Sequence, residues 1–293
     1  MTPGTRLRPI AGIRELAPDY DGFILDLWGV VHDGTAPFPG VLDCMRRLLD
    51  AGKRLVLLSN APRRADDVVR RIAALGVPAG LYNGVMSSGE EAWLHLWRRD
   101  EPFYAALGRR CLQIGSDRDL EMRDGLDLDF VDTPERADFI LNTGPAEWDD
   151  TIETYAPMLH AALDRGLPMV CANPDLVVIH GGKPALCAGA LAEEYERLGG
   201  RVRWHGKPHP SVYDSCLGLL DITDRRRILA IGDSLRTDIA GAANAGIDSL
   251  LIAGGVHAAD FCTSGGSIEL TRVDAALAET GTRPVGVAAR FAW

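Results

Sequence analysis

Three short apolar runs constrain this chain more than anything else in it. Each breaks off at a polar residue and is followed by an amphipathic stretch closed by glycine. Phe23-Ile24-Leu25 ends at Asp26, Leu55-Val56-Leu57-Leu58 at Ser59-Asn60, and Ile228-Leu229-Ala230-Ile231 at Gly232-Asp233. Such runs are too short for helices and lack the alternation of a half-wet sheet, so they predict buried parallel strands. Around 41–50, Val41, Leu42, Met45, Leu48 and Leu49 share one helical face, and Gly52 is placed to end the helix. Helices running to about Leu75 and from about Thr237 to Ala245 stop in the same way at Gly76 and Gly246. A further strand, Ser249-Leu250-Leu251-Ile252, stops at Gly254-Gly255. Alternating strands and helices imply right-handed crossovers and a doubly wound, mostly parallel α/β core.

The two ends of the chain supply that core, and a long middle segment interrupts it. A crossover needs only about a dozen residues. The segment 87–200 is far longer and carries its own strand-like runs at Leu112–Ile114, Phe139–Leu141, Pro168–Val170 and Leu176–Ile179. It also has helical stretches around Thr151–Arg165 and Ala188–Leu198. We therefore expect a core of 1–86 and 201–293 with an inserted α/β domain of 87–200. Gly181-Gly182-Lys183 lacks the spacing of a phosphate loop and reads as a hairpin turn.

Charge and cysteine usage narrow the partners. With 31 basic and 41 acidic residues the net charge is −10, which disfavours gripping a nucleic-acid backbone and leaves room for one small anion. No run is apolar and long enough to span a membrane, and no secretory signal follows Arg6 and Arg8. Six scattered cysteines without a CxxC read as reduced thiols of a cytoplasmic protein, with Cys187 a packing residue. The seven histidines show no HExxH spacing and no zinc-like pairing with cysteine. Trp93 and Trp97, four apart on a helix, are packing residues of a core or of a homodimer contact.

In open α/β sheets ligands sit beyond the carboxyl ends of the strands. There this sequence offers Asp26, Ser59-Asn60, Lys207 and Asp233. Two carboxylates form a hard-oxygen site for Mg²⁺, which keeps few protein ligands and shares the substrate phosphate. Amides near Ser59, at the start of a helix, can hold phosphoryl oxygens, and Lys207 adds a point charge. Arg63 is close enough in sequence to reach a substrate anion. The set meets the needs of phosphoryl transfer: a carboxylate nucleophile, a metal, and positive groups around the transferred oxygens.

Asp26-Leu27-Trp28-Gly29-Val30, Ser59-Asn60-Ala61-Pro62-Arg63, Gly206-Lys207-Pro208-His209-Pro210 and Gly232-Asp233-Ser234-Leu235-Arg236-Thr237-Asp238 resemble, in order, the four motifs of the haloacid dehalogenase superfamily. The long insert and Ala172-Asn173-Pro174-Asp175 resemble its class IIA, NagD-like branch with a C2 cap. The resemblance implies a phosphatase of small phosphorylated metabolites. Asp26 would form an aspartyl-phosphate, with Ser59 and Asn60 binding the phosphoryl group and Lys207 bridging nucleophile and phosphate. Asp26, Asp233 and the main-chain carbonyl of Trp28 would hold Mg²⁺, supported by Asp238. Asn173 and Asp175 would face substrate from the cap.

One position departs from the pattern. Where phosphatases of this superfamily carry a second Asp that protonates the leaving oxygen, this chain has Trp28, whose indole is neither acid nor base near neutral pH. Such catalysis is worth about 10²–10⁴-fold. The loss points to a good leaving group, to a stand-in acid among His32, Asp33 and His209, or to a module that binds a phosphorylated ligand without turnover. A response-regulator receiver, which also uses Asp, Ser/Thr and Lys, is disfavoured by the insert and by the downstream Asp233…Asp238 pair.

Overall fold

The computed structural model describes residues 7–293. Thirteen strands are found among them, in three sheets. In chain order they are β1 (Gly22–Asp26), β2 (Arg54–Ser59), β3 (Gly84–Ser87), β4 (Arg110–Ile114), β5 (Asp129–Val131), β6 (Phe139–Asn142), β7 (Met169–Cys171), β8 (Val177–His180), β9 (Lys183–Leu186), β10 (Val202–Trp204), β11 (Ile228–Gly232), β12 (Asp248–Ile252) and β13 (Gly286–Ala288). Three helices matter below: α1 (Val41–Asp50), α2 (Ala65–Ala74) and α3 (Ser88–Arg98).

The chain forms two compact units. The first holds the residues up to Ser59 together with 69–86 and 207–293; the second holds 60–68 and 87–206. Sequence reasoning placed 60–68 in the core and ended the insert at 200.

The first unit is built on a six-stranded sheet in the order β13-β12-β11-β1-β2-β3. β1 pairs in parallel with both β11 and β2, and all five of its residues are buried, as a strand covered on both faces must be. α1 spans the stretch expected of it, burying Val41, Cys44, Met45 and Leu48, and Gly52 beyond it has φ +75°. The helix expected from Thr237 starts earlier and differently. Leu235–Ile239 is a π turn in which Ile239 N–H reaches back to Ser234 O at 3.1 Å, and Ala240–Asn244 continues as α-helix.

The second unit is built on a parallel five-stranded sheet in the order β10-β7-β6-β4-β5. Alternate residues of a strand face opposite sides, and two cores follow from that. Leu112, Ile114, Ile140, Met169 and Cys171 pack with Tyr155, Leu159, Leu191 and Tyr195 on one side. Cys111, Phe139, Leu141 and Val170 pack with Leu96 and Tyr104 on the other.

The run Leu176–Ile179 is a strand as expected, and with the expected turn at Gly181-Gly182-Lys183 it forms a separate antiparallel hairpin. β8 pairs with β9, and Gly181 and Gly182 turn it at φ +56° and +77°. All four β8 residues are exposed, although the His180 ring stacks on Trp148 at 3.8 Å. The six cysteines are free thiols, and among the described residues no helix is long and apolar enough to cross a membrane. Burial pushes the Cys187 thiol up to about 12, which suits a packing residue rather than a nucleophile. Trp93 packs against the second core and stacks on Trp97 at 6.0 Å with the Arg64 guanidinium over Trp93 at 3.5 Å, while Trp97 is exposed.

Candidate active site

Leu25 of β1 lies opposite Ile231 of β11, so the two strands end side by side and deliver Asp26 and Asp233 to the same sheet edge. On the other side of β1, Asp26 lies opposite Leu58 of β2, which puts Ser59 at that edge as well. The π turn after β11 then brings Asp238 back: its Oδ2 accepts the Ser234 N–H at 3.1 Å. Gly232 makes this return feasible, since a Cβ there would overlap the Asp238 side chain.

Lys207 reaches into the same spot. Its Nζ donates to Asp26 Oδ1 and, at 2.7 Å, to Asp238 Oδ1. Asp26, Lys207, Asp233 and Asp238 are all buried. Burial raises the Asp26 carboxyl well above its ordinary value, and Asp238 and Asp233 push the same way against the pull of Lys207. Burial and Asp238 push Asp233 up to about 7. Burial alone would lower Lys207, but Asp238 and Asp26 hold it well above the usual lysine range.

Three carboxylates therefore face one ammonium, an excess of negative charge that a low-dielectric site tolerates poorly. Ligand oxygens of Asp26, Asp233 and Asp238 all lie within 4.8 Å of one another. Asp238 spends its two oxygens on Lys207 and Ser234, and Asp233 Oδ2 accepts the Val256 N–H at 2.6 Å. The donor set is all hard oxygen, and its charge imbalance fits a small divalent cation.

The segment after Asp26 is a tight turn. Val31 and His32 N–H both donate to Leu27 O, at 2.9 and 3.0 Å. Gly29, at φ +84°, lays its backbone against Asp233, where a Cβ would overlap the carboxylate. Trp28 is 54% exposed, seated on Gly34 with the His32 ring edge-on at 5.9 Å. Of the stand-in acids, Asp33 is held down at about 2, chiefly by the Thr35 hydroxyl and by the Ala36 and Thr35 amides. His32 Nδ1 accepts the Gly34 N–H at 3.0 Å, and burial lowers its pKa, which favours the neutral ring with its proton on Nε2. His209 is the residue before the helix Pro210–Leu220.

The remaining candidates lie in the second unit. Asn60 Nδ2 donates to Asp175 Oδ1 at 2.9 Å, and Asp175 N–H donates to Asn173 Oδ1 at 2.9 Å, so Asn60, Asn173 and Asp175 form one hydrogen-bonded group. Gly206, at φ +90°, sits among Ser88, Asn60 and Pro174 with no room for a Cβ. Arg63 uses one guanidinium nitrogen, Nη1, within the unit. It donates to Asp67 Oδ2 at 3.3 Å and Arg118 O at 3.0 Å, with Asp119 Oδ1 3.9 Å away. Sequence reasoning missed the Lys207–Asp238 pair, whose members stand 31 residues apart with nothing local to link them.

Comparison with known proteins bears on this geometry. A family model described as haloacid dehalogenase-like hydrolase matches residues 23–129, and a second, described as HAD-hydrolase-like, matches 204–280. The crystal structure of a haloacid dehalogenase-like hydrolase from Brucella suis 1330 is 35% identical with a TM-score of 0.81, covering 96% of this chain and 99% of its own. The ribonucleotide monophosphatase NagD of Escherichia coli K12 is 27% identical over 244 residues, 81% of this chain and 89% of NagD. A glycerol phosphate phosphatase from Mycobacterium tuberculosis, crystallised in complex with calcium, is 25% identical with a TM-score of 0.65, covering 82% of this chain and 68% of its own.

Proposed function

The chain belongs to the haloacid dehalogenase-like hydrolases, in the class IIA branch with NagD, and hydrolyses phosphoric esters; from that premise we propose that Asp26 is its nucleophile and a small phosphorylated metabolite its substrate. The observation that carries the reading is Lys207, buried between Asp26 and Asp238 with Asp233 in the same cluster. A carboxylate oxygen of Asp26 attacks phosphorus, the bond to the leaving oxygen breaks, and an aspartyl-phosphate forms. Water then attacks that phosphorus and returns the carboxylate with inorganic phosphate. Lys207 holds the Asp26 side chain and offsets charge on the transferred oxygens. Asp238 orients Lys207. Ser59 and the Asn60 amide bind the phosphoryl group, and Asn173 and Asp175 face the substrate. Arg63 spends Nη1 on Asp67 and the Arg118 carbonyl and would meet a substrate anion through the rest of its guanidinium.

Asp26, Asp233 and the Trp28 carbonyl would hold Mg²⁺, which supplies positive charge to the phosphoryl oxygens when bound. The ion suits the site because three buried carboxylates face one lysine. Phosphate release from a panel of sugar phosphates, nucleotides and aryl phosphates should require Mg²⁺ and stop with a chelator. Binding of these ligands without turnover would favour the non-enzymatic module.

Leaving-group chemistry gives a sharper expectation. Trp28 cannot donate a proton, Asp33 is held down at about 2 and burial favours neutral His32, so His209 is the one stand-in left and we take it to lie outside proton transfer. Turnover should therefore depend steeply on the leaving group's acidity, with aryl and acyl phosphates far ahead of alkyl ones. Trp28→Asp should raise alkyl phosphate turnover by about tenfold or more, part of the 10²–10⁴ that general acid catalysis is worth. A flat dependence in wild type, or no gain in the variant, would mean another acid already serves.

A further inference from the structure

Among the described residues, a second group of metal-ligating side chains lies wholly within the inserted unit. Glu91, His95 and His205 each offer one ligand atom within 4.8 Å of the other two. Glu91 and His95 stand four apart on α3, on one face of the helix. His205 follows β10, and its backbone N–H donates to Cys171 O at the end of β7 at 3.0 Å, which fixes the residue against the sheet. Glu91 and His205 are almost completely buried and His95 half-buried.

The surroundings of His205 match what a metal-binding histidine needs. Such a residue commits one ring nitrogen to an outer hydrogen-bond partner and turns the other to the ion. His205 Nε2 pairs with the Tyr104 hydroxyl. That leaves Nδ1, which is buried, makes no hydrogen bond, and lies 3.3 Å from Glu91 Oε2. His95 Nδ1 lies 3.2 Å from Glu101 Oε1 but, like His205 Nδ1, is buried without a hydrogen-bond partner. The His95 and His205 rings stand 5.2 Å apart between centroids. Glu91 Oε2 also accepts the Gly206 N–H at 2.8 Å, so the group touches the residue just before Lys207.

We propose that Glu91, His95 and His205 form a binding site for one divalent transition ion, zinc above all, that ties α3 to the segment ending at Gly206. Two imidazoles and a carboxylate are ligands of zinc chemistry and unlike the all-oxygen cluster at Asp26. This site goes beyond the phosphatase reading and stands or falls apart from it.

The test uses the full chain, dialysed in excess Mg²⁺ to fill the oxygen cluster, with metal analysis and then Co²⁺ loading. Wild type should retain a zinc-class ion. Its Co²⁺ form should show the intense visible bands of a low-coordinate nitrogen–oxygen site. His205→Gln should lose those bands, Tyr104→Phe should weaken the ion's affinity by about 10–100-fold, and Asp26→Asn should keep the bands. Wild type that neither retains a transition ion nor gives those bands overturns the proposal without any variant having to fold. So do bands that vanish in Asp26→Asn or survive in His205→Gln. The cluster would then be a hydrogen-bonded group sharing a proton.

Discussion

Asp26→Asn should lower phosphate release by about 10⁴ or more, as removal of a covalent nucleophile does elsewhere. The amide cannot form the acyl phosphate, yet it fills the same volume at the end of β1. It also removes one of three carboxylates that crowd a buried site, and burial is what raises the Asp26 carboxyl. Folding should therefore survive, with a melting temperature in the absence of Mg²⁺ equal to or above that of wild type. The pairing of lost turnover with preserved stability separates a chemical role from a structural one. Turnover within about tenfold of wild type would remove Asp26 from the reaction.

Lys207→Met should do the opposite to stability. Its ammonium joins Asp26 and Asp238, and all three are buried. Breaking a buried pair by removing one partner costs about 3–5 kcal/mol, because the remaining charges are stranded. That is a large part of the total stability of an ordinary domain, about 5–15 kcal/mol. Turnover should fall by about 10²–10³, the range for losing one preorganised positive group. Added Mg²⁺ should narrow the gap in melting temperature to wild type, since a cation offsets part of the same repulsion. Lys207→Arg should not restore activity, because the planar fork of arginine is larger than the point charge it replaces. Wild-type turnover in Lys207→Met would show that Lys207 only holds the core together.

The sheet edge carrying Asp26, Ser59 and Asp233 was legible because buried parallel strands announce themselves as unbroken apolar runs. Phe23–Leu25, Leu55–Leu58 and Ile228–Ile231 all fall inside strands of the first unit. The same rule marked Leu176–Ile179 as a strand, and β8 covers Val177–His180. An apolar run says that a segment can be a strand, but Val177, Val178 and Ile179 are exposed on a two-stranded ribbon, and nothing local encodes which sheet a run joins. β5, β10 and β13 have only three residues each, too few for periodicity to register.

Site residues followed the same division. Asp26 and Asp233 could be read from their strands. The partners of Arg63 Nη1, Asp67 one turn away and the Arg118 carbonyl in the insert, could not be read from the sequence. The spacing of Glu91 and His95 is visible in sequence, but its completion by His205 depends on β10 ending beside β7. That is a tertiary fact with no local signal.

The most direct measurement is to quench the enzyme in acid during turnover and locate the phosphoryl group by peptide mass spectrometry. The account expects a hydroxylamine-labile phosphoryl group on the peptide bearing Asp26, absent from Asp26→Asn. Steady phosphate release with the phosphoryl group on another residue, or with none trapped on Asp26 under any quench, would contradict it.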